Sequence, residues 1–312
     1  MSPHRIPRGA LLALILAAAA WGVGTVVSKR AVAEIPPLTL LPIQLAASLV
    51  VLAALMTWRR VPLRDPDAPP ILVRLGLLNP GLAYALGLLG LVHISASLSV
   101  LLWALEPLMI LVLAAWFLGE PIGRVLVAFS LVAVAGMALV VYEPGAAGAL
   151  PGIALTIAGI ACCAVYTVVA RRRLGSDQAT APVVLGQQVY ALALALGLVG
   201  IFWLAGGAVR PTAVTPTAWA SAIVSGVLYY GFAYWLYLTG LRRVSASIAA
   251  VSFYLIPAFG VLADAVLLEQ RLEPRQWLGV VVVVAAVAVI GTRMGGRSTT
   301  RSDALEVRTG LP

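Results

Sequence analysis

Long apolar runs follow one another from about residue 10 to residue 292, separated by short polar breaks such as ArgArgValProLeuArgAsp (59–65), GluProGly (143–145) and ArgArgArgLeuGlySerAsp (171–177). About 20 apolar residues in a helix cross a hydrocarbon core of about 30 Å. The pattern therefore predicts an all-α integral membrane protein with ten spans, at 9–28, 36–58, 71–91, 95–118, 122–142, 151–170, 182–205, 216–240, 245–268 and 276–292. A membrane β-barrel is excluded, because its strands alternate apolar and polar residues whereas runs such as Val280 to Ile290 do not. From Met294 onward the chain turns polar, which predicts a disordered cytoplasmic tail over 293–312.

The runs are duplicated. GLAYALGLLGLVHISAS from Gly81 matches GFAYWLYLTGLRRVSAS from Gly231 without a gap, and the register carries on to Pro107 and Pro257. Tyr84 thus pairs with Tyr234, and Trp103 with Phe253. A second match joins ThrValValSerLysArg (25–30) to ThrValValAlaArgArg (167–172). Arg5 and Arg8 before LeuLeuAlaLeuIleLeu look like the start of a signal peptide. The internal counterpart instead makes residues 9–28 the first helix of a repeat. The expected organisation is a cytoplasmic segment 1–8, a five-helix repeat 9–142, a second repeat 151–292, and the tail.

Composition agrees with a membrane chain, at 62% apolar and 11% charged residues. The basic residues orient it, since Lys and Arg are retained on the cytoplasmic side during insertion. With the N-terminus inside, only Lys29, Arg30, Arg210, Arg271 and Arg275 of the 21 basic residues fall outside. Both termini are then cytoplasmic. Five helices per half is an odd number, so equivalent helices run in opposite directions and the repeat is inverted. Transporters of this kind hold their substrate between the halves. The net charge of +9 reflects this bias, and nucleic-acid binding is not expected.

Ten spans in two inverted halves resemble the drug/metabolite transporter superfamily, EamA family, over residues 9–292. The matching local patterns are Trp21-Gly22, Glu106-Pro107, Leu118 to Pro121, the SerAlaSer triplets from Ser95 and Ser245, and Pro257 to Phe259. The resemblance implies a gradient-driven carrier of small metabolites in the cell membrane, often an exporter of amino acids or related compounds. Many members carry an Arg in span two where this chain has Gln44, and Gln187 and Gln188 stand in the corresponding region of the second half. Neutral hydrogen-bonding groups thus replace a fixed charge. Near the end of span nine the acidic residue is Glu269, while Gln270 aligns with Glu120, a slip of one residue.

Ionisable residues inside membranes are expensive and usually face a cavity or a partner. Glu106 and Asp264 are the candidates. Steps of four and three place Ser99, Trp103 and Glu106 on one stripe, so Glu106 reads either as substrate contact and proton carrier or as a carboxyl bonded to a neighbouring helix. Asp264 shares a stripe with Phe253, Pro257 and Gly260, and reads as a cavity residue or as one reaching the outer interface. Tyr230, Tyr234 and Tyr237 line one face of span eight; with Tyr84, Trp21 and Trp103 they are cavity or packing aromatics. Tyr142 and Trp277 read as interfacial anchors. Pro107 and Pro257 are expected hinge points, because each removes a backbone donor from its helix. A midplane cavity is expected between spans one, three, four, six, eight and nine, with spans five and ten facing lipid or a second copy in a homodimer.

No metal or other cofactor is expected. Cys162 and Cys163 have only His4 and His93 as further soft ligands, both far away in sequence, and no GxxxxGKST loop for ATP exists. The alternatives to a proton-coupled secondary transporter are an intramembrane enzyme using Glu106 and Asp264 and a non-transporting scaffold. An enzyme lacks a nucleophile or metal set, and a scaffold has no need of a midmembrane carboxylate. The predicted topology has a direct test in single cysteines at Asp65 and Gly145, in a background without Cys162 and Cys163. An impermeant thiol reagent on intact cells should label Gly145→Cys and spare Asp65→Cys, and labelling of Asp65→Cys from outside would contradict the orientation.

Overall fold

A computed structural model of the protein describes residues 7–94, 96–141, 149–207, 213–267 and 273–290. Helices are its regular elements: α1 (Arg8–Glu34), α2 (Pro37–Trp58), α3 (Pro70–Leu91), α4 (Ala96–Trp103 continued by Glu106–Leu118), α5 (Arg124–Val141), α6 (Leu150–Arg173), α7 (Thr180–Leu204), α8 (Pro216–Leu241), α9 (Ala246–Leu267) and α10 (Pro274–Ile290). Eight are long and apolar enough to cross a membrane, and α5 and α10 are shorter apolar helices. The expected tail, Tyr142 and the Glu269/Gln270 slip lie outside the described residues.

Proline sets several boundaries. Pro37, Pro70, Pro107, Pro151 and Pro216 occupy the first or second position of α2, α3, the second half of α4, α6 and α8, where the missing N–H has no helical partner to lose. At the other end of α1, Ile35 precedes Pro36 and is forced to extended backbone at φ −112°. That stop comes later than the apolar run implies, so α1 reaches Glu34 and carries Lys29 and Arg30 on its last turns.

Packing obeys the repeat. Gly240 of α8 lies so close to α1 that a Cβ there would meet the Ala10 carbonyl at 3.0 Å, and Gly90 of α3 would meet the Gly152 carbonyl of α6 at 2.8 Å. Gly226 of α8 rests on the backbone of Gln44 in α2, and Gly76 of α3 rests on that of Gln187 in α7. Thus α1 sits on α8 and α9 of the second half, while α6 sits on α3 and α4 of the first, and the halves are interleaved. Close backbone approach through small residues is how helices associate where no hydrophobic drive exists between them. α5 and α10 pack on each other through Gly136 and Gly279. Leu131, Val132, Leu278, Val281 and Val284 on their outer faces are exposed, as lipid-facing side chains must be.

Gly226→Val would drive a methyl-bearing carbon to 2.5 Å from the Gln44 carbonyl oxygen, whereas Gly197→Val in α7 meets nothing within 4 Å. Overpacking of this kind costs about 1–3 kcal/mol. The Gly226 variant should melt several degrees lower in detergent, and the Gly197 variant should melt with the parent protein.

Candidate functional site

In hydrocarbon a helix can be interrupted only where neighbouring groups or a cavity satisfy the freed backbone. Four interruptions occur, in two repeat-related pairs. Wide π-type turns fall at Leu78–Leu82 in α3 and Val227–Phe232 in α8, and Asn79 at the first of them has extended backbone, φ −147° and ψ 121°. The second pair lies in α4, between Trp103 and Glu106, and in α9, where Ser252–Tyr254 tighten to a 3-10 turn. The prolines expected as hinge points, Pro107 and Pro257, lie beside these breaks. Each proline starts or nearly starts the following helix, and the irregular backbone lies two to five residues earlier, because a proline deprives the carbonyl four residues before it of its donor.

These interruptions surround a cavity of about 410 Å³. Its wall includes Trp21 and Thr25 of α1, Gln44 of α2, Asn79 and Tyr84 of α3, Ser99, Trp103, Glu106 and Pro107 of α4, Cys163, Tyr166 and Thr167 of α6, Tyr229, Tyr230, Tyr234 and Tyr237 of α8, and Phe253 and Pro257 of α9. α2 and, through Met137, α5 join the six helices expected to line it. Gln187 and Asp264 are not among the residues lining this wall. Gln187 is consumed in packing: it donates to the Leu72 carbonyl at 2.8 Å and accepts from the Tyr166 hydroxyl at 3.0 Å. Asp264 lies one turn beyond Gly260 and forms an ion pair with Lys29 at 2.6 Å.

The aromatic side chains form one connected set. Trp21 presents edge contacts to Tyr234, Tyr237 and Phe253 at centroid distances of 5.4, 5.5 and 5.4 Å, and Tyr84 stacks on Trp103 at 5.8 Å. From this set two hydrogen bonds cross between the halves. The Tyr84 hydroxyl donates to that of Tyr229 at 3.0 Å, and the Tyr234 hydroxyl donates to Oδ1 of Asn79 at 2.7 Å. In the repeat register Tyr84 matches Tyr234 and Asn79 matches Tyr229, so the two bonds are symmetry mates. Asn79, Tyr229 and Tyr166 were missed from sequence, although a buried Asn beside Pro80, in register with Tyr229, was a signal that could have found the first two.

Polar groups on the wall are mostly occupied. Nε2 of Gln44 donates to Oγ of Ser225 at 2.8 Å. The indole N–H of Trp21 is buried without a partner among the described residues. Among the described residues Glu106 is the single carboxyl group on the wall, and no Lys, Arg or His accompanies it there. Gly22, next to Trp21, lets α1 approach α9, since a Cβ would stand 2.8 Å from the Gly260 nitrogen.

The two ends of the molecule differ. At the end bearing Arg8, Thr167 and Tyr237 are hydrogen-bonded at 3.0 Å, Thr180 and Thr239 at 2.8 Å, and Arg171 Nε donates to the Val244 carbonyl at 2.6 Å. Gly119, in the left-handed region at φ 65°, turns the chain after α4 so that the Glu120 carboxylate caps α9 through the backbone N–H groups of Ala246 and Ser247. At the opposite end Ser28, Val32, Pro37, Leu91 and Val100 line the cavity. It extends from the middle of the bundle toward that end.

With this geometry in hand, comparison with known proteins is informative. The model of the EamA-like transporter family matches residues 8–142 and again 150–292. An uncharacterized transporter of Archaeoglobus fulgidus is 24% identical over 287 residues, covering 89% of this chain and 97% of its own. A Streptantibioticus cattleyicolor protein named as a probable terminal-alkyne amino-acid exporter is 29% identical over 211 residues, 67% of this chain and 68% of its own. A crystal structure at 21% identity shares the fold, with a TM-score of 0.75 over 90% of this chain and 97% of the other. Twice matched along its length, this chain belongs to the EamA-like transporter family and is a multi-pass membrane transporter of small molecules.

Proposed function

We propose that the protein exports small organic solutes from the cytoplasm by alternating access, with Glu106 exchanging a proton in each cycle. The observation that carries this reading is a cavity with one carboxyl group on its wall among the described residues, crossed at one end by the Thr167–Tyr237 bond and lined toward the other by Ser28, Val32 and Leu91. Seal and opening fall on repeat-equivalent positions. All four positions line the cavity, but Thr167 and Tyr237 are bonded to each other at the sealed end, whereas of their equivalents Thr25 donates to the Trp21 carbonyl of its own helix and Gly87 has no side chain to bond. Exchanging the two arrangements would open the sealed end and close the other, which is the rocking that inverted repeats permit. The bias of basic residues toward the end bearing Arg8 supports a cytoplasmic position for the sealed end in the cell membrane. The exporter name of the Streptantibioticus relative supports the direction.

Tyr84, Tyr234, Trp21 and Trp103 then supply the apolar surface for the solute, Gln44 and Tyr230 add polar edge, and the interruptions before Pro107 and Pro257 serve as hinges. Tyr84→Ala and Tyr234→Ala should each raise the half-saturating solute concentration about tenfold, the loss of one good ring contact. Transport kinetics in proteoliposomes measure this, and unchanged kinetics would return both residues to packing.

Proton coupling has its own test. A one-unit pH gradient can sustain about tenfold solute accumulation by one-for-one exchange, because each unit is worth 1.36 kcal/mol. Glu106→Gln keeps shape and hydrogen-bonding capacity but cannot titrate. Reconstituted Glu106→Gln should show no gradient-driven accumulation while solute-for-solute exchange continues. Accumulation with the parent's pH dependence would make Glu106 structural.

A further inference from the structure

We propose that the cavity selects organic monocations, solutes whose one charge is an ammonium group on an aromatic or branched apolar body, over zwitterions, anions and neutral analogues. This deepens the transport reading and rests on it. Ten aromatic side chains stand on the wall: Trp21, Tyr84, Trp103, Tyr166, Tyr229, Tyr230, Tyr234, Tyr237, Phe253 and Tyr254. Aromatic faces attract cations, the more so where water is excluded, and cages of them recognise substituted ammonium groups. Glu106 completes such a cage with the one carboxyl group on the wall among the described residues, negative once its proton has left.

What the wall lacks among the described residues matters as much. A zwitterionic amino acid brings a carboxylate that needs a cation or several free donors once it leaves water. The basic groups nearest in the fold are engaged away from the wall. Lys29 holds Asp264, Arg171 holds the Val244 carbonyl, and Arg242 donates to the Gln178 carbonyl at 2.6 Å. The hydroxyls of Tyr84 and Tyr234 and the amide of Gln44 already donate to protein acceptors. An anion would therefore find no cation on the wall among the described residues, and ionised Glu106 would repel it. The unpartnered indole N–H of Trp21 offers one neutral hydrogen bond, suited to an ether or carbonyl oxygen of the solute. A volume of about 410 Å³ admits a body of one or two rings.

Four probes with the same phenyl ring separate the charge classes: phenethylamine, phenylalanine, 3-phenylpropionate and 3-phenylpropanamide. Binding to the purified full-length protein in lipid nanodiscs, read by calorimetry at pH 7, should favour phenethylamine at least tenfold over each of the others. Glu106→Gln should lose that preference while leaving the weak binding of the neutral amide in place, which shows that the site is intact. Trp103→Leu should weaken phenethylamine more than the amide. Equal binding of phenylalanine or phenylpropionate, a preference that survives Glu106→Gln, or no binding by any of the four overturns the proposal. Proteoliposome flux of the same compounds separates the two readings. Glu106-dependent binding of phenethylamine without flux would refute transport and leave the selectivity, whereas flux of all four without preference would refute the selectivity and leave transport.

Discussion

A membrane interior offers no water to a backbone N–H or carbonyl, so each must find its partner inside the protein. That requirement makes every long apolar run a helix here, and it decides where a helix is allowed to break. The breaks in α3, α4, α8 and α9 converge on one cavity. Irregular backbone and binding space are thus the same feature. Proline and glycine in apolar helices tell where the irregularity begins, and neighbouring helices complete the hydrogen bonding.

Duplication then builds the cavity twice over. Gly76 on Gln187 repeats Gly226 on Gln44, and the Tyr234–Asn79 bond repeats the Tyr84–Tyr229 bond. Both tyrosine bonds cross from one half to the other, so they fix the separation of the halves around the solute space. The side chains hung on this symmetric frame are not symmetric. Cys163 faces the cavity where the first half has Trp21, and Ile256 does so where it has Glu106. The first half contributes the two indoles, the carboxyl group and Tyr84, and the second half the other phenols.

Inequality of the two ends has a similar origin. Lys29 and Arg171 are repeat equivalents, yet Lys29 pairs with Asp264 at one rim while Arg171 takes a backbone carbonyl at the other. Exposed surface ion pairs contribute little, about 0–1 kcal/mol. The buried bond between Thr167 and Tyr237, by contrast, would leave unpaired hydroxyls if broken dry. A seal of a few such bonds is weak enough to open when water or solute can replace them.

Fold class, span number and repeat were legible in the sequence because they depend on local quantities: run length, apolar content, and a register of identities from Gly81 and Gly231 to Pro107 and Pro257. Helix starts were legible where proline marks them. Glu106, Trp21, Trp103, Tyr84, Tyr230 and Tyr234 could be singled out because a carboxylate or a large aromatic in an apolar run is conspicuous, and the structure brings all six to one wall. Gln187 and Asp264 looked equally conspicuous, but their partners, Leu72, Tyr166 and Lys29, come from distant segments, and only the fold shows that their polar groups are spent there. The same holds for Asn79 and Tyr229, whose importance lies in bonds that cross between the halves. Sequence alone determined that a helical bundle with an internal repeat must form. Tertiary structure decided which of its few polar side chains are left free to face a solute, because a side chain's availability depends on what every neighbouring helix brings to it.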